Sequence, residues 1–354
     1  MKNKTKLSVA ILLSLMLVLL TGCQKTAESG GDEVLNEEAE EVLEYEYRDV
    51  ICDRSITDGQ FSARFFRSNY QHRLASKSTV YSGDSTLLIA PDGTTMLIDV
   101  NLRPVSGRVL GYLEELGIKK LDYLVFSHTD TDHYGGYRAI VDNLEVGEVW
   151  INSSPNWETL SRPEGKCISY IRNKGIPVKV IGKGMEMKFG DVDVKCMWPG
   201  PDYEYIDEYG NQNQNMVNNG SLLLRFVYKD SSFLFGGDLY SEGELKIVAE
   251  YGKDLKTDIA KMNHHSSVTS STAKWLKAVD AKLTCGITNT QTAGVNAVIQ
   301  RFMYYDMQFT VSGHDGTVLV YTDGDGEYDV QVEKERSDPF YPDLNTKDGH
   351  FIIK

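Results

Sequence analysis

A chain of 354 residues with 41% apolar and 10% aromatic content can bury a sizeable core, which excludes a disordered or fibrous polypeptide. Its formal net charge of −14 at pH 7 argues against a protein that grips nucleic acid through a broad basic face. Any polyanionic substrate would have to be held locally, against the average field.

In chain order, Lys2, Lys4 and Lys6 precede an apolar run over residues 7–20. The run is shorter than the roughly 20 residues of an ordinary spanning helix, and it reads as a secretory signal. It ends in Leu20-Thr21-Gly22-Cys23, which resembles the lipobox of bacterial lipoproteins, where the cysteine is acylated. The expectation is a signal peptide over 1–23, lipidation at Cys23, anchorage to the bacterial membrane and an extracytoplasmic domain. Residues 24–50 hold ten acids against two basic residues, so 24–55 is expected to be a flexible acidic tether. The remaining cysteines, Cys52, Cys167, Cys196 and Cys285, form no C-x-x-C pair and demand no disulfide at this domain size.

From about residue 56 to 335 short apolar runs alternate with helical periods. Residues 85–89 and 95–98 flank Pro91-Asp92-Gly93, a hairpin signal. Val109, Leu113 and Leu116 keep helical spacing and stop at Gly117. A strand over 121–126 runs into Ser127-His128-Thr129-Asp130-Thr131-Asp132-His133-Tyr134-Gly135-Gly136, with Tyr137, Ile140, Val141 and Leu144 marking a helix behind it. The second half repeats this logic. A hairpin over 222–227 and 232–235 ends in Gly236-Gly237-Asp238, a helix covers about 240–251, and a strand over 258–262 ends in Asn263-His264-His265. Both halves deliver acids and histidines at strand ends, which implies a single large α/β domain. The polar tail over 336–354 closes on Phe351-Ile352-Ile353, and the sequence assigns it no role.

Four of the seven histidines lie in the two motifs, each beside acids and glycines. H-x-D-x-D-H in a loop lets neighbouring side chains point to opposite sides and serve two adjacent metal ions, whereas helical ligands need three- or four-residue spacing. The paired glycines allow backbone to approach a cavity closely. A solvated surface histidine is the ordinary reading of His128 or His133 alone, but it does not account for the whole set.

The order of these motifs resembles the metallo-β-lactamase superfamily, most closely the branch found as the hydrolase domain of ComEC-type DNA-uptake proteins. The matching elements are Gly83-Asp84-Ser85-Thr86-Leu87-Leu88-Ile89, Leu97-Ile98-Asp99, the S-H-x-D-x-D-H-x-G-G run, Asn218-Asn219-Gly220-Ser221, Gly237-Asp238 and the His264-His265 strand end. The resemblance implies a four-layer αββα sandwich, two mixed sheets flanked by helices, and a metal-dependent hydrolase. Carried over by position, His128 and Asp130 would hold one ion, Asp132 and His133 the other, and Asp238 would bridge them. His264 or His265 would complete the coordination of the second ion, with His264 favoured as ligand because it comes first after the strand, and His265 left a catalytic role beside Asp132.

The chain departs from the pattern in places. Asp130 stands where the broad superfamily has histidine, as in the ComEC-like branch. Ser266 replaces the glycine of H-H-G-S, the usual D-V-G-Q-G lead-in is missing before Gly83, and the superfamily's usual histidine shortly before the bridging aspartate is absent, with Asn218 or Asn219 near that point. One or two divalent ions are implied. Zinc remains open, and the oxygen-rich ligand set favours manganese more than a histidine-dominated one would. A metal-bound hydroxide is the expected nucleophile.

Around that centre, Asp99 is expected to orient a ligand or to cap a turn. Ser266 is a candidate donor to a substrate oxyanion, whereas Thr269 and Ser270 are read as caps of the helix carrying Trp275, Leu276 and Val279. His314 is a candidate general acid from a late loop. The stretch over 201–215 interleaves Tyr203, Tyr205 and Tyr209 with carboxylates, which suits a cationic group. The expected activity is therefore hydrolysis of a phosphodiester, either DNA or a phosphocholine-type envelope polymer, with the acidic charge disfavouring nucleic acid and no obligate protein partner expected. The alternatives are a β-lactamase or other ester or lactone hydrolase, and a non-catalytic binding lipoprotein with a degenerate site.

Overall fold

The computed structural model describes residues 49–67, 70–74, 77–81, 83–207, 209–288, 293–334 and 349–354. The expected signal peptide, Cys23, most of the tether and most of the tail lie outside them.

Alternation sets the faces of the strands. In Val192–Trp198, Val192, Val194 and Cys196 are buried while Asp193 and Lys195 are exposed, as a strand with one wet face requires. Phe61–Phe65, Thr86–Ile89 and Thr95–Ile98 are buried along their whole length, because both faces are covered. Among the described residues the larger sheet has nine strands, in the order His350–Ile353, Tyr328–Val332, Val318–Thr322, Phe61–Phe65, Thr86–Ile89, Thr95–Ile98, Lys120–Phe126, Glu145–Ile151 and Val178–Val180. The second has seven, in the order Phe309–Val311, Leu283–Gly286, Ile259–Lys261, Ser231–Phe235, Leu223–Tyr228, Val192–Trp198 and Glu186–Phe189. Both mix parallel and antiparallel pairs.

The inner faces interlock around Phe61, whose ring centroid lies 4.7 Å from that of Phe233, with Phe189 and Phe226 beside it. Each such fully buried ring is worth about 1.5–3 kcal/mol of transfer free energy. Helices Ser106–Glu115 and Pro163–Asn173 cover the outer face of the larger sheet through Val109, Leu113, Ile168 and Ile171. Helices Ser241–Tyr251, Ala273–Val279 and Ala293–Tyr304 cover the other through Ile247, Leu276 and Phe302. The result is two mixed sheets flanked by helices.

Two boundaries move. Ile51 is fully buried and its carbonyl accepts from Arg64 Nε at 3.0 Å, so folded structure begins before residue 55. His350–Ile353 pairs antiparallel with Tyr328–Val332, which makes the Phe351-Ile352-Ile353 finish the edge strand of the larger sheet.

Candidate metal centre

The site forms where strands of both sheets end side by side. Lys120–Phe126 delivers Ser127 and His128, and a single helical turn, Thr131–Tyr134, then carries Asp132 and His133. Ser231–Phe235 delivers Asp238, and Ile259–Lys261 delivers His264 and His265. Leu222 N–H donates to Ser127 O at 2.9 Å, and the Asn152 side-chain Nδ2 donates to Gly220 O at 2.7 Å, so one backbone and one side-chain bond fasten the two sheets together at this end.

Asp84, His133, Asp238 and His265 offer ligand atoms that all lie within 4.8 Å of one another. Asp238 Oδ2 is 3.1 Å from His133 Nε2 and 3.2 Å from His265 Nε2, and Asp132 Oδ2 lies 3.1 Å from His265 Nε2. Asp99 Oδ2 meets His133 Nδ1 at 2.7 Å and also accepts from Ser127 Oγ at 2.7 Å, while Asp99 Oδ1 accepts from Ser127 N–H at 2.8 Å. His133 is thereby turned with Nε2 towards the cluster, the arrangement that fixes the tautomer of a metal-bound imidazole. Close backbone contact builds the floor: a side chain at Gly237, whose φ is +53°, would strike Ser221 and Ser127.

The charges are mutually dependent. Burial works against an imidazolium at His133, but Asp238, Asp99 and Asp132 outweigh it and hold the group well above the ordinary histidine range. At His265 burial is likewise overcome, by Asp238, Asp84 and Asp132. Burial pushes the Asp132 carboxyl up, yet His133 and the hydrogen bond from His265 bring it down to about 2. Asp238 Oδ1 and His128 Nε2 are buried with no hydrogen-bond partner, an arrangement that costs free energy unless a ligand engages them. The buried set Asp84, His133, Asp238 and His265 therefore fits a divalent cation, with Asp132 beside His265 and with His128 and Asp130 in a neighbouring position.

That neighbouring position is looser. Asp130 Oδ2 lies 3.5 Å from His128 Nε2 and also accepts from the Gln214 amide, which in turn donates to Asn218 Oδ1 at 2.8 Å. Asn218 thus stands at the edge of the site. Asn219 does not, because its Oδ1 accepts from Tyr240 N–H and Gly243 N–H, each at 3.0 Å.

Several expected roles are corrected. His264 Nε2 is 4.0 Å from Asp238 Oδ2 and its Nδ1 meets Thr269 Oγ1, so His265, not His264, enters the cluster. The cause is backbone: His264 and His265 have φ of +45° and +49°, and this left-handed turn swings the second imidazole inward. Ser266 is fully buried and donates to Met262 Sδ at 3.0 Å, away from any substrate. Neither Thr269 nor Ser270 caps the helix Ala273–Val279; Thr272 does, accepting from Trp275 N–H. His314 is exposed in the short helix Ser312–Asp315 and has no contact with the cluster. Tyr203 OH donates to Met216 O at 2.6 Å and Tyr205 OH faces Gly220 O at 3.5 Å. These two tyrosines brace the helix Gln214–Asn219, and Tyr209 projects 80% exposed, so the three form no cation cage.

Sequence reasoning passed over Asp84 and Lys261. In the sequence Asp84 is visible only as part of a Gly-Asp pair, and Lys261 as one residue of a strand.

The fold and this centre define a domain of the metallo-β-lactamase superfamily, a superfamily of metallohydrolases. Residues 79–182 match the model of the metallo-beta-lactamase superfamily, a span that includes Asp84, Asp99 and the His128–His133 motif. In sequence the chain is similar to proteins of the ComEC-like branch. It is 26% identical over 233 residues to competence protein ComA of Neisseria gonorrhoeae, covering 65% of this chain and 29% of that protein. It is 23% identical over 235 residues to ComE operon protein 3 of Bacillus subtilis (strain 168), covering 65% and 28%. The chain thus spans less than a third of the length of these curated relatives. Among solved structures, the metallo-beta-lactamase fold protein YhfI from Bacillus subtilis is 10% identical with a TM-score of 0.46, covering 74% of this chain and 100% of that one.

Proposed function

We propose that the domain is a metal-dependent phosphodiesterase that works outside the cytoplasm, held to the membrane by a lipid on Cys23. The observation that carries the catalytic part is the convergence of Asp132, His133, Asp238 and His265 at the ends of strands from both sheets. Divalent ions held there would polarise a phosphoryl oxygen and lower the pKa of a bound water. The chain's own part is to fix these ligands. Asp99 sets the direction of His133, Asp238 is shared by both imidazoles, and Asp132, the most accessible of the four at 27% side-chain exposure, faces the mouth of the site.

Because the Tyr205 ring is buried and Tyr203 packs edge-on against it and against Trp198, the feature that favoured a phosphocholine group no longer does so. A nucleic acid strand, the substrate class suggested by the similarity to competence proteins, then has the better support, held by the metal centre and not by surface charge. The location rests on the basic, apolar and Leu20-Thr21-Gly22-Cys23 sequence of residues 1–23.

The test compares single-stranded DNA, p-nitrophenylphosphocholine, bis(p-nitrophenyl) phosphate and nitrocefin as substrates, with zinc or manganese supplied. Hydrolysis of bis(p-nitrophenyl) phosphate and DNA, abolished in Asp132→Ala with the fold intact, is the expected result. Turnover of nitrocefin alone would overturn the phosphodiester assignment. For the anchor, labelled fatty acid should enter the wild-type chain in a bacterial host and not Cys23→Ala; equal labelling would refute lipidation there.

A further inference from the structure

Lys261 is a lysine with no route to water: its side chain is 4% exposed. Its Nζ donates to Gly237 O at 3.0 Å and Met262 O at 2.9 Å and forms a close ion pair with Asp84 Oδ2. Burying a cation this deeply is costly unless pairing and hydrogen bonds compensate, and a hydrophobic residue would fill the same strand end more cheaply. The position of its partners indicates what the charge is for. Asp84 is itself 2% exposed, and its Oδ1 faces His265 Nδ1 at 3.1 Å, while His265 Nε2 looks the other way towards Asp132 and Asp238. Gly237, the second partner, immediately precedes Asp238.

We infer that Asp84 and Lys261 are a buried positioning pair for the metal centre: Lys261 anchors Asp84, and Asp84 holds the proton of His265 on Nδ1 so that Nε2 presents its lone pair to a metal ion. The inference rests on the metal-centre reading above and deepens it. Asp84 is then an orienting carboxylate and not itself a ligand, set against His265 Nδ1 at 3.1 Å as Asp99 is set against His133 Nδ1 at 2.7 Å. The symmetry is structural as well. Asp84 lies two residues before Thr86–Ile89 of the larger sheet and Lys261 ends a strand of the smaller, so the pair fixes the separation of the two halves of the site. Asp84 N–H donates to Asp132 O at 3.2 Å and Asp84 O accepts from Asn101 N–H at 3.0 Å, so its backbone is tied into the loop that carries Asp132.

The experiment measures zinc and manganese affinity by competition with a chromogenic chelator, and the visible spectrum of the cobalt(II) form, in the wild-type chain, Asp84→Ala, Lys261→Met and Asp84→Asn/Lys261→Met. Far-UV circular dichroism and the melting temperature of the metal-free proteins serve as fold controls. Each single variant is expected to lose about 10–100-fold in affinity and to shift the cobalt spectrum. The double variant should recover to within a few-fold of wild type, because the amide carbonyl introduced by Asp84→Asn would still accept from His265 and no unpaired charge remains buried. Unchanged affinity and spectrum in folded Asp84→Ala would overturn the inference. So would a double variant no better than Lys261→Met, which is the result for Asp84 as a direct ligand. If the single variants do not fold, the folded double variant decides alone: near-wild-type affinity supports the positioning role and a lost ion refutes it. A wild-type chain that binds neither metal nor cobalt would instead refute the reading of the centre itself.

Discussion

The Nε2 atoms of His133 and His265 lie 3.3 Å apart across 132 residues of sequence. Two imidazoles converge on one carboxylate oxygen of Asp238 in this way only if positive charge, as protons or as a metal ion, sits between them. His264, next in sequence to His265, is turned towards Thr269 instead. Whether a histidine belongs to the cluster is thus decided by one backbone turn.

A pair of substitutions tests that turn. His265→Ala should lower the metal content of the purified protein to near zero and abolish metal-dependent hydrolysis. His264→Ala should keep the metal content of the wild type. Elemental analysis after gel filtration in metal-free buffer reads both, and a reversed pattern would restore His264 as the ligand.

Asp99 gives a second test. It holds His133 Nδ1 at 2.7 Å and Ser127 through both of its oxygens. Asp99→Asn keeps the shape and can still accept from Ser127 N–H, but its amide NH2 then stands against His133 Nδ1, where it can only donate, so the tautomer of His133 is no longer fixed. Metal affinity should fall about 10–100-fold, with kcat falling more than KM rises, because the substrate does not touch Asp99. Titration against a chelator and steady-state kinetics on bis(p-nitrophenyl) phosphate check the two parts.

How far the sequence reached can be argued from particular residues. Period-two and helical spacing located the hairpin of Thr86–Ile89 and Thr95–Ile98, the helix Ser106–Glu115 and the strand Lys120–Phe126, because each pattern is local. The edge strand His350–Ile353 escaped because its partner, Tyr328–Val332, identifies itself only by pairing. Asp84 and Lys261 escaped because their meaning lies in burial between two sheets, and a Gly-Asp pair and a strand lysine carry no trace of it. Tyr203 and Tyr205 misled for the opposite reason. Their interleaving with acids suits a cation, yet the Tyr205 ring is buried and Tyr203 packs against it and Trp198.

Ser266 provides a prediction on stability. It stands at φ +61°, the third consecutive left-handed residue after His264 and His265, a conformation that costs a non-glycine residue about 1–2 kcal/mol. Glycine, which the related H-H-G-S pattern has here, removes that cost and loses only a weak hydroxyl-to-thioether contact with Met262. Ser266→Gly should therefore raise the stability of the metal-free domain by about 1 kcal/mol and its melting temperature by roughly 2 °C. Calorimetry decides it, and a lower melting temperature would show that the packing of the hydroxyl outweighs the strain.

Asp258 makes a prediction on pH away from the metal centre. It accepts from Ser232 Oγ at 2.7 Å, Ser232 N–H at 3.0 Å and Tyr328 OH at 2.9 Å, and pairs with Lys282 Nζ at 3.1 Å. Tyr328 belongs to the larger sheet and Ser232 to the smaller, so the carboxylate ties the two together. Partial burial raises its pKa, but the bonds from Ser232, Lys282 and Tyr328 outweigh this and hold it below the ordinary 3.8. A carboxyl with a depressed folded-state pKa contributes stability that is fully present above the unfolded-state value and is lost as pH falls through the folded-state value. Unfolding free energy from urea titrations should thus decline as pH drops below about 3.8, and Asp258→Asn should be less stable at neutral pH with a shallower acid decline. Parallel acid limbs in the two proteins would assign the decline to other carboxylates.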